Sequence, residues 1–305
     1  MPRLSVIITT HNRRELLPKA IESIRQEGSE TELIVVDDAS TDDTNAYCEK
    51  LSGIRYIRLP ENVGTAAARN AGIAASETPY IAFLDDDDWR LPNTFSSQLE
   101  ILEKDPSCAL VYGKVYYANQ QHELNGESNI QQPAPQGEVA AELLHGNFIT
   151  LSTVVARRSA LTQLGMFDVS RTMLGLEDWD MWLRLSLQFR ILAVNSPVAV
   201  YRKPEKNSGQ WYSDMGRQYT LASKAYRKKW FRLPGIREKM GAGFKAAQQK
   251  IMAHNADVIL YSARYNANNF REKIFRLYAA ARSRPKNLLS IRFYKATLKI
   301  LLNRP

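Results

Sequence analysis

Tyr80-Ile81-Ala82-Phe83-Leu84-Asp85-Asp86-Asp87-Asp88-Trp89 is an apolar run that stops abruptly in four consecutive acids. The apolar residues after Pro79 predict a buried β-strand. Adjacent carboxylates pinned at the end of such a strand repel one another and resist ionising unless a cation or hydrogen-bond donors meet them. A hard divalent ion with oxygen ligands is the natural partner. The alternative is a solvated turn ahead of a helix capped by Asn93, since acids are favoured before a helix. The surrounding sequence decides between the two.

Moving outward toward the N-terminus, Leu4 to Thr10 is rich in β-branched residues and predicts a strand. Apolar residues at Leu16, Leu17, Ala20, Ile21 and Ile24 follow with helical spacing, and Gly28 closes that helix. Glu32 to Val36 predicts a second strand, Thr41 to Leu51 a short helix capped by Ser40 or Thr41, and Ile54 to Leu59 a third strand. The Ala-rich segment Thr65 to Ala75 predicts a helix leading to the strand at Tyr80. This alternation argues for βαβ units and a parallel sheet. In such sheets ligands bind outside the carboxyl ends of the strands. The polar residues obey that rule: His11, Asn12 and Arg13 follow the first strand, Asp37 and Asp38 the second, Asp85 to Asp88 the fourth.

Ser5 to Arg13, Ile34 to Asp42, Asn62-Val63-Gly64 with Ala68-Arg69-Asn70-Ala71-Gly72, and Phe83 to Asp88 together resemble family-2 glycosyltransferases. The resemblance spans residues 4–92, four segments in order. It implies an α/β GT-A fold, a Rossmann-like nucleotide-diphospho-sugar transferase sheet, with the acids as its Asp-x-Asp metal motif. It also implies a nucleoside-diphosphate sugar donor whose base lies between the first two strand ends. Asp38 would accept a hydrogen bond from a uracil-type imide, with the backbone at Thr9 completing the contact and Asn12 and Gly64 belonging to the same segments. His11 stands where the family often has Tyr, and an imidazole stacks with less area. Asp85 and Asp87 form the Asp-x-Asp pair, with Asp87 the direct Mn²⁺ or Mg²⁺ ligand and Asp86 directed at ribose or sugar hydroxyls. Arg13 and Arg69 suit a forked contact with phosphate; for Arg69 a salt bridge within the fold is an equal alternative.

Beyond Trp89 the pattern predicts a helix over Asn93 to Lys104, strands at 109–113 and 115–118, a polar loop over 119–137, a helix from Val139 to Leu144, a strand over Ile149 to Ala156 and a helix from Arg158 to Leu164. Leu176-Glu177-Asp178-Trp179-Asp180-Met181-Trp182 resembles the family's second signature, a Glu-Asp pair opening a helix near the acceptor. The same acids also complement a helix N-terminus while Trp179 and Trp182 pack inward, and both roles are compatible. Asp178 is the expected general base and Glu177 the reserve. In-line attack assisted by one base inverts the anomeric centre, as in the family. Strands at 191–194 and 198–201 complete a domain over residues 1–208, where Tyr201-Arg202-Lys203 resembles a basic segment of the family's active site.

The 305 residues carry a formal charge of +9, with a sharp asymmetry. Residues 1–205 hold 19 Lys/Arg against 28 Asp/Glu, a net −9, whereas residues 206–305 hold 22 against 4, a net +18. After a linker near Gly209, the region 209–305 predicts basic amphipathic helices from Arg217, through Tyr219, Ala222, Tyr226 and Trp230, then over 241–265, 268–282 and 286–302. Such helices suit an anionic membrane surface, a cap or oligomer contact, or a nucleic-acid patch. No nucleic-acid motif accompanies the charge, so no nucleic-acid partner is expected. No apolar run is long enough for a spanning helix, and the N-terminus has no signal-like apolar region, which points to a cytoplasmic protein, peripheral on the inner face of the membrane if the helices bind lipid. Cys48 and Cys108 have neither redox nor zinc spacing and are expected as buried thiols.

The sequence thus predicts a metal-dependent inverting glycosyltransferase acting on a glycan or lipid-linked acceptor of a bacterial surface polysaccharide. A nucleotidyltransferase is the rival enzyme, but His11-Asn12-Arg13-Arg14 lacks the glycines of a phosphate loop. A non-catalytic sugar-nucleotide-binding or scaffold protein is the rival outside enzymes.

Overall fold

In the computed structural model the described residues are 2–27, 30–128, 134–203, 228–265, 270–283 and 297–298. The chain divides into two compact units. Met1–Leu143, Asn147–Val169 and Leu176–Lys203 make the first; Leu144–Gly146, Ser170–Gly175 and Pro204–Pro305 make the second.

The first unit begins with β1 (Leu4–Thr10), α1 (Leu17–Arg25), β2 (Thr31–Asp37), α2 (Thr44–Cys48), β3 (Arg55–Arg58), α3 (Thr65–Ala75) and β4 (Tyr80–Asp85). Every residue of β1 is buried, so this strand is packed on both faces as central parallel strands are. β3, β2, β1 and β4 lie side by side in that order and all three pairings are parallel. Leu17, Ala20, Ile21 and Ile24 of α1 bury one face against this sheet, in a core shared with Val6, Ile8, Val35 and Leu84. At about 25 cal/mol per Å² of apolar surface, such faces provide most of the driving force for the layer.

Beyond β4 the sheet becomes mixed. β8 (Val155–Arg157) pairs antiparallel with β4 and with β6 (Cys108–Ala118), β9 (Arg190–Arg202) runs parallel to β6, and β5 (Trp89–Arg90) is antiparallel to β9. Four expectations change here. The two strands predicted around Gly113 are one strand with a bulge, where a Cβ on Gly113 would stand 2.6 Å from Val198 Cγ2. The two predicted at 191–194 and 198–201 are likewise one strand, shifting register around Pro197. The predicted strand over 149–156 is shorter, because Leu151–Thr153 turns as a 3₁₀ helix ahead of β8. Part of the predicted polar loop is β7 (Leu124–Ser128), a strand without apolar alternation that takes its pairing from β6.

The remaining helices of this unit are α4 (Phe95–Lys104), α5 (Ala140–His145), whose end passes into the second unit, α6 (Arg158–Gln163) and α7 (Glu177–Ser186). α7 is held against β4 by an aromatic cluster: the Phe83 ring lies 5.2 Å from Phe167 and 6.5 Å from Trp182. Arg184 of α7 donates to Asp180 at 2.8 Å and to the carbonyls of Leu164 and Met166 at 2.6 Å. Cys48 and Cys108 are buried free thiols.

The second unit contains α8 (Ile236–Met240), α9 (Phe244–Tyr265) and α10 (Phe270–Ser283), with Leu277 of α10 packed against Leu260 of α9. On α10, Ile274, Phe275 and Tyr278 are 43%, 47% and 62% exposed, on one helical face with exposed Arg271. Among the described residues no helix is long and apolar enough to cross a membrane. The linker at Gly209, most of the helix predicted from Arg217 through Trp230 and most of the one predicted over 286–302 lie outside the described residues.

Candidate active site

The carboxyl ends of β1, β2 and β4 open on a cavity of about 410 Å³, within the size range of small-ligand sites. Thr9, Thr10, His11 and Arg13 reach it from β1, Asp38 from β2, Thr65, Ala68 and Arg69 from α3, Asp85 to Asp87 from β4, Glu177 from α7 and Tyr201 from β9.

The loop ends are cross-braced. Asn12, at φ +54°, uses its side-chain oxygen to accept the backbone N–H groups of Thr41 and Asp42 at 2.7 and 3.2 Å. It therefore ties the β1 turn to the β2 turn and does not line the cavity. Both oxygens of Asp38 accept backbone N–H groups, from Val63 and Gly64, each at 2.8 Å. Gly64 has φ +89° at the start of α3, a backbone conformation open to glycine. Its place is in this brace rather than in the cavity wall. His11 Nδ1 lies 2.7 Å from the Asp38 carbonyl, which can only accept, so Nδ1 carries the proton and Nε2 accepts from Asn12 Nδ2 at 3.0 Å.

The four-acid run splits. Asp88 turns into the protein, accepting Ser152 Oγ at 2.5 Å and Arg202 N–H at 3.0 Å, while burial and the nearby Asp85 and Asp87 carboxylates push it well above the usual carboxylate range. It anchors the turn. Asp85, Asp86 and Asp87 face the cavity. Arg13 Nη1 donates to Asp86 at 3.0 Å and to Asp87 at 3.3 Å from a half-exposed position. Burial raises Asp86 to about 6 against the opposing pull of Arg13, and raises Asp87 with help from the like charge of Asp85.

Arg69 is buried and forked. Nη2 donates to Asp85 Oδ1 at 2.8 Å and Nη1 to Glu177 Oε1 at 3.1 Å. Arg69 thus makes a salt bridge within the fold while also lining the cavity. The adjacent Asn70 exchanges two 2.9 Å hydrogen bonds with the backbone of Phe167, so consecutive residues of α3 hold the entry to α7. Glu177 Oε2 is buried without a hydrogen-bond partner among the described residues, in a residue that lines the cavity.

Asp178 follows the cavity-lining Glu177, is half-buried, and is not itself among the residues that line the cavity. Its Oδ1 accepts the Trp179 N–H at 2.6 Å and its Oδ2 accepts Asn147 Nδ2 at 3.0 Å. Burial and the neighbouring Glu177 push it up to about 7, the range in which a carboxylate can act as a base near neutral pH. Sequence reasoning did not single out Asn147, which lies in a loop 31 residues from its partner, nor Ser152. Tyr201 of the predicted basic segment reaches the cavity, while Arg202 supplies a backbone donor to Asp88 and Lys203 Nζ lies 3.6 Å from the centre of the Tyr117 ring.

As a cation site, Asp85 and Asp87 offer hard oxygen donors suited to Mg²⁺ or Mn²⁺. Among the described residues no three His, Cys, Asp or Glu side chains gather tightly enough to enclose an ion. A cation held by these two acids would have to draw its other ligands from outside the chain, from a bound phosphate and water.

The model of the family described as Glycosyl transferase family 2 matches residues 5–165. The chain belongs to glycosyl transferase family 2. This transferase is 28% identical over 191 residues to the Escherichia coli UDP-Glc:alpha-D-GlcNAc-diphosphoundecaprenol beta-1,3-glucosyltransferase WfaP, covering 61% of this chain and 70% of that protein. The match to a Haemophilus influenzae glycosyltransferase, 28% identical, spans 64% of this chain and 66% of that one. The chain therefore covers about two thirds of the length of these relatives. Among solved structures, S. aureus TarS 1-349 in complex with UDP-GlcNAc superposes with a TM-score of 0.61 at 18% identity, over 99% of this chain and 89% of that one. The Pyrobaculum calidifontis mannosyltransferase PcManGT, in complex with GDP-Man and Mn2+, superposes with a TM-score of 0.56 at 17% identity, over 100% and 88% of the two chains. The transferase has the expected GT-A fold, with the sheet mixed beyond β4.

Proposed function

We propose that this transferase moves a sugar, with inversion, from a UDP- or dTDP-linked donor to a hydroxyl of a glycan or lipid-linked acceptor in the assembly of a bacterial surface polysaccharide. The observation that carries the reading is the Arg69 fork, which brings the acids ending β4 and the acid opening α7 to one cavity. Donor-side and acceptor-side chemistry would thus meet at one place. The E. coli relative's name states a UDP-Glc donor and a diphosphoundecaprenol acceptor, and the TarS structure holds UDP-GlcNAc.

In this reading the base lies between the β1 and β2 ends near Thr9, His11 and Asp38, and Asp86 meets the ribose or sugar hydroxyls. Asp87, with Asp85, would hold Mn²⁺ or Mg²⁺, which neutralises charge building on the departing diphosphate. Arg13, half-exposed on its carboxylates, can turn one donor to a phosphate oxygen. Asp178 takes the acceptor proton as the hydroxyl attacks, and position matters more than resting pKa. The catalytic unit would work at the cytoplasmic face, with the basic C-terminal region on anionic lipid; the exposed Arg271, Ile274, Phe275 and Tyr278 face of α10 supports that placement.

The experiment is thermal stability against UDP, dTDP, GDP and their sugar conjugates, with and without Mn²⁺, on wild type and Asp87→Ala. A ligand at about a hundred times its Kd adds about 2.7 kcal/mol. A Mn²⁺-dependent rise with a uridine or thymidine nucleotide, lost in Asp87→Ala, is expected. A rise only with guanosine nucleotides, or one untouched by the substitution, would refute the donor or the metal assignment respectively.

A further inference from the structure

We infer that Asn147 is a positioning residue: its side-chain amide holds the Asp178 carboxylate in the orientation from which it takes the acceptor proton. The inference rests on the reading of Asp178 as the base.

Asn147 sits in the open loop after α5 and is exposed, whereas Asp178 opens α7 and is half-buried. The two side chains meet at 3.0 Å, Asn147 Nδ2 to Asp178 Oδ2. The direction of the amide is determined by its other end, since Asn147 Oδ1 accepts the Ile149 backbone N–H at 3.1 Å. A backbone N–H only donates, so the oxygen must face Ile149 and the NH₂ must face the carboxylate. Ile149 is buried, which pins the loop that carries the amide.

The other carboxylate oxygen, Oδ1, accepts the Trp179 N–H at 2.6 Å, and the Trp179 ring is itself held by a 2.5 Å hydrogen bond to the Leu143 carbonyl. One donor on each oxygen, each on a fixed support, stops the carboxylate from rotating. Lone pairs remain on both oxygens for an incoming hydroxyl. The amide also favours the ionised form, against the burial and the Glu177 charge that oppose it. The charges of Arg69 and Asp85 also act on Asp178, the first favouring and the second opposing its ionisation, while the hydrogen bonds of Arg69 go to Glu177 and Asp85.

Asn147 could instead serve only to turn its loop. Asn147→Asp separates the two roles, because an aspartate oxygen still accepts the Ile149 N–H while the donor to Asp178 is gone. UDP release from UDP-glucose and UDP-GlcNAc should show Asn147→Asp and Asn147→Ala lowering kcat about 10- to 100-fold, with the donor KM within about twofold of wild type. In an Asp178→Asn background neither substitution should lower kcat further. Wild-type kcat in Asn147→Asp, with Asp178→Asn inactive, overturns this inference and leaves the base assignment standing. Full turnover in Asp178→Asn overturns the base assignment and this inference with it. Independently of turnover, the ¹⁵N side-chain resonance of Asn147 in the full-length protein should move as pH crosses the Asp178 titration, and stay still in Asp178→Asn; a resonance that stays still in wild type sinks the inference.

Discussion

Arg69 Nη1 lies 3.1 Å from Glu177 Oε1, joining residues 108 positions apart, and the same guanidinium reaches Asp85 at 2.8 Å. One buried cation is thereby shared by the strand-end acids and the first turn of α7. Its own charge is opposed by burial, and the carboxylates of Asp85 and Glu177 outweigh that opposition and raise its pKa.

Removing that cation leaves two carboxylates facing each other in a partly dry site. Arg69→Ala should destabilise the protein by about 3–5 kcal/mol in urea unfolding at pH 7.5. Arg69→Lys should recover only part of this, because an ammonium has no planar fork. Equal stability of both variants to wild type would show that the pair carries no net interaction.

Asp178 gives two pH signatures. If it is the base, kcat should fall about tenfold per unit below about pH 7, where the carboxyl is protonated. For stability, a carboxyl whose folded pKa is raised holds its proton more tightly in the native state. Its ionisation therefore costs stability progressively from the unfolded value near 4 up through about 7, in full above that. Asp178→Asn should consequently favour the folded state more at pH 8 than at pH 5, with unfolding free energies differing by on the order of 1 kcal/mol once solvent screening at this half-exposed group is counted. An equal gain at both pH values would contradict the raised pKa.

Ser152→Ala removes the hydroxyl that Asp88 Oδ2 accepts at 2.5 Å. A buried carboxyl losing one partner should cost about 1–3 kcal/mol in chemical denaturation, with UDP affinity unchanged because Asp88 points away from the cavity. A large loss of UDP affinity at unchanged stability would place Asp88 in the binding site instead.

For the second unit, Phe275→Ser combined with Tyr278→Ser in the full-length chain should weaken co-sedimentation with vesicles containing phosphatidylglycerol, with less effect on the salt-dependent part contributed by Lys and Arg. Each basic residue near the lipid contributes about 1 kcal/mol. Wild-type protein that ignores such vesicles at low salt would refute membrane docking.

The sequence by itself determined the first half of the transferase sheet. The β-branched run at β1, the 3.6-residue apolar spacing of α1 and the apolar run of β4 that ends in acids are local signals, and each follows from side-chain geometry over a few residues. It also placed the polar residues at strand ends, because in a parallel sheet ligands bind outside the carboxyl ends of the strands. What only the tertiary structure decided lies in long-range pairing. Which of the four acids turns inward depends on Ser152 and the backbone of Arg202, 64 and 114 residues from Asp88. That Arg69 braces carboxylates, that Asn12 and Asp38 hold loops together, and that Asn147 meets Asp178 depend likewise on partners distant in sequence. Local periodicity reports which face of an element is apolar, but it carries no term for the partner that a buried charge must find, and that partner is chosen when the elements pack.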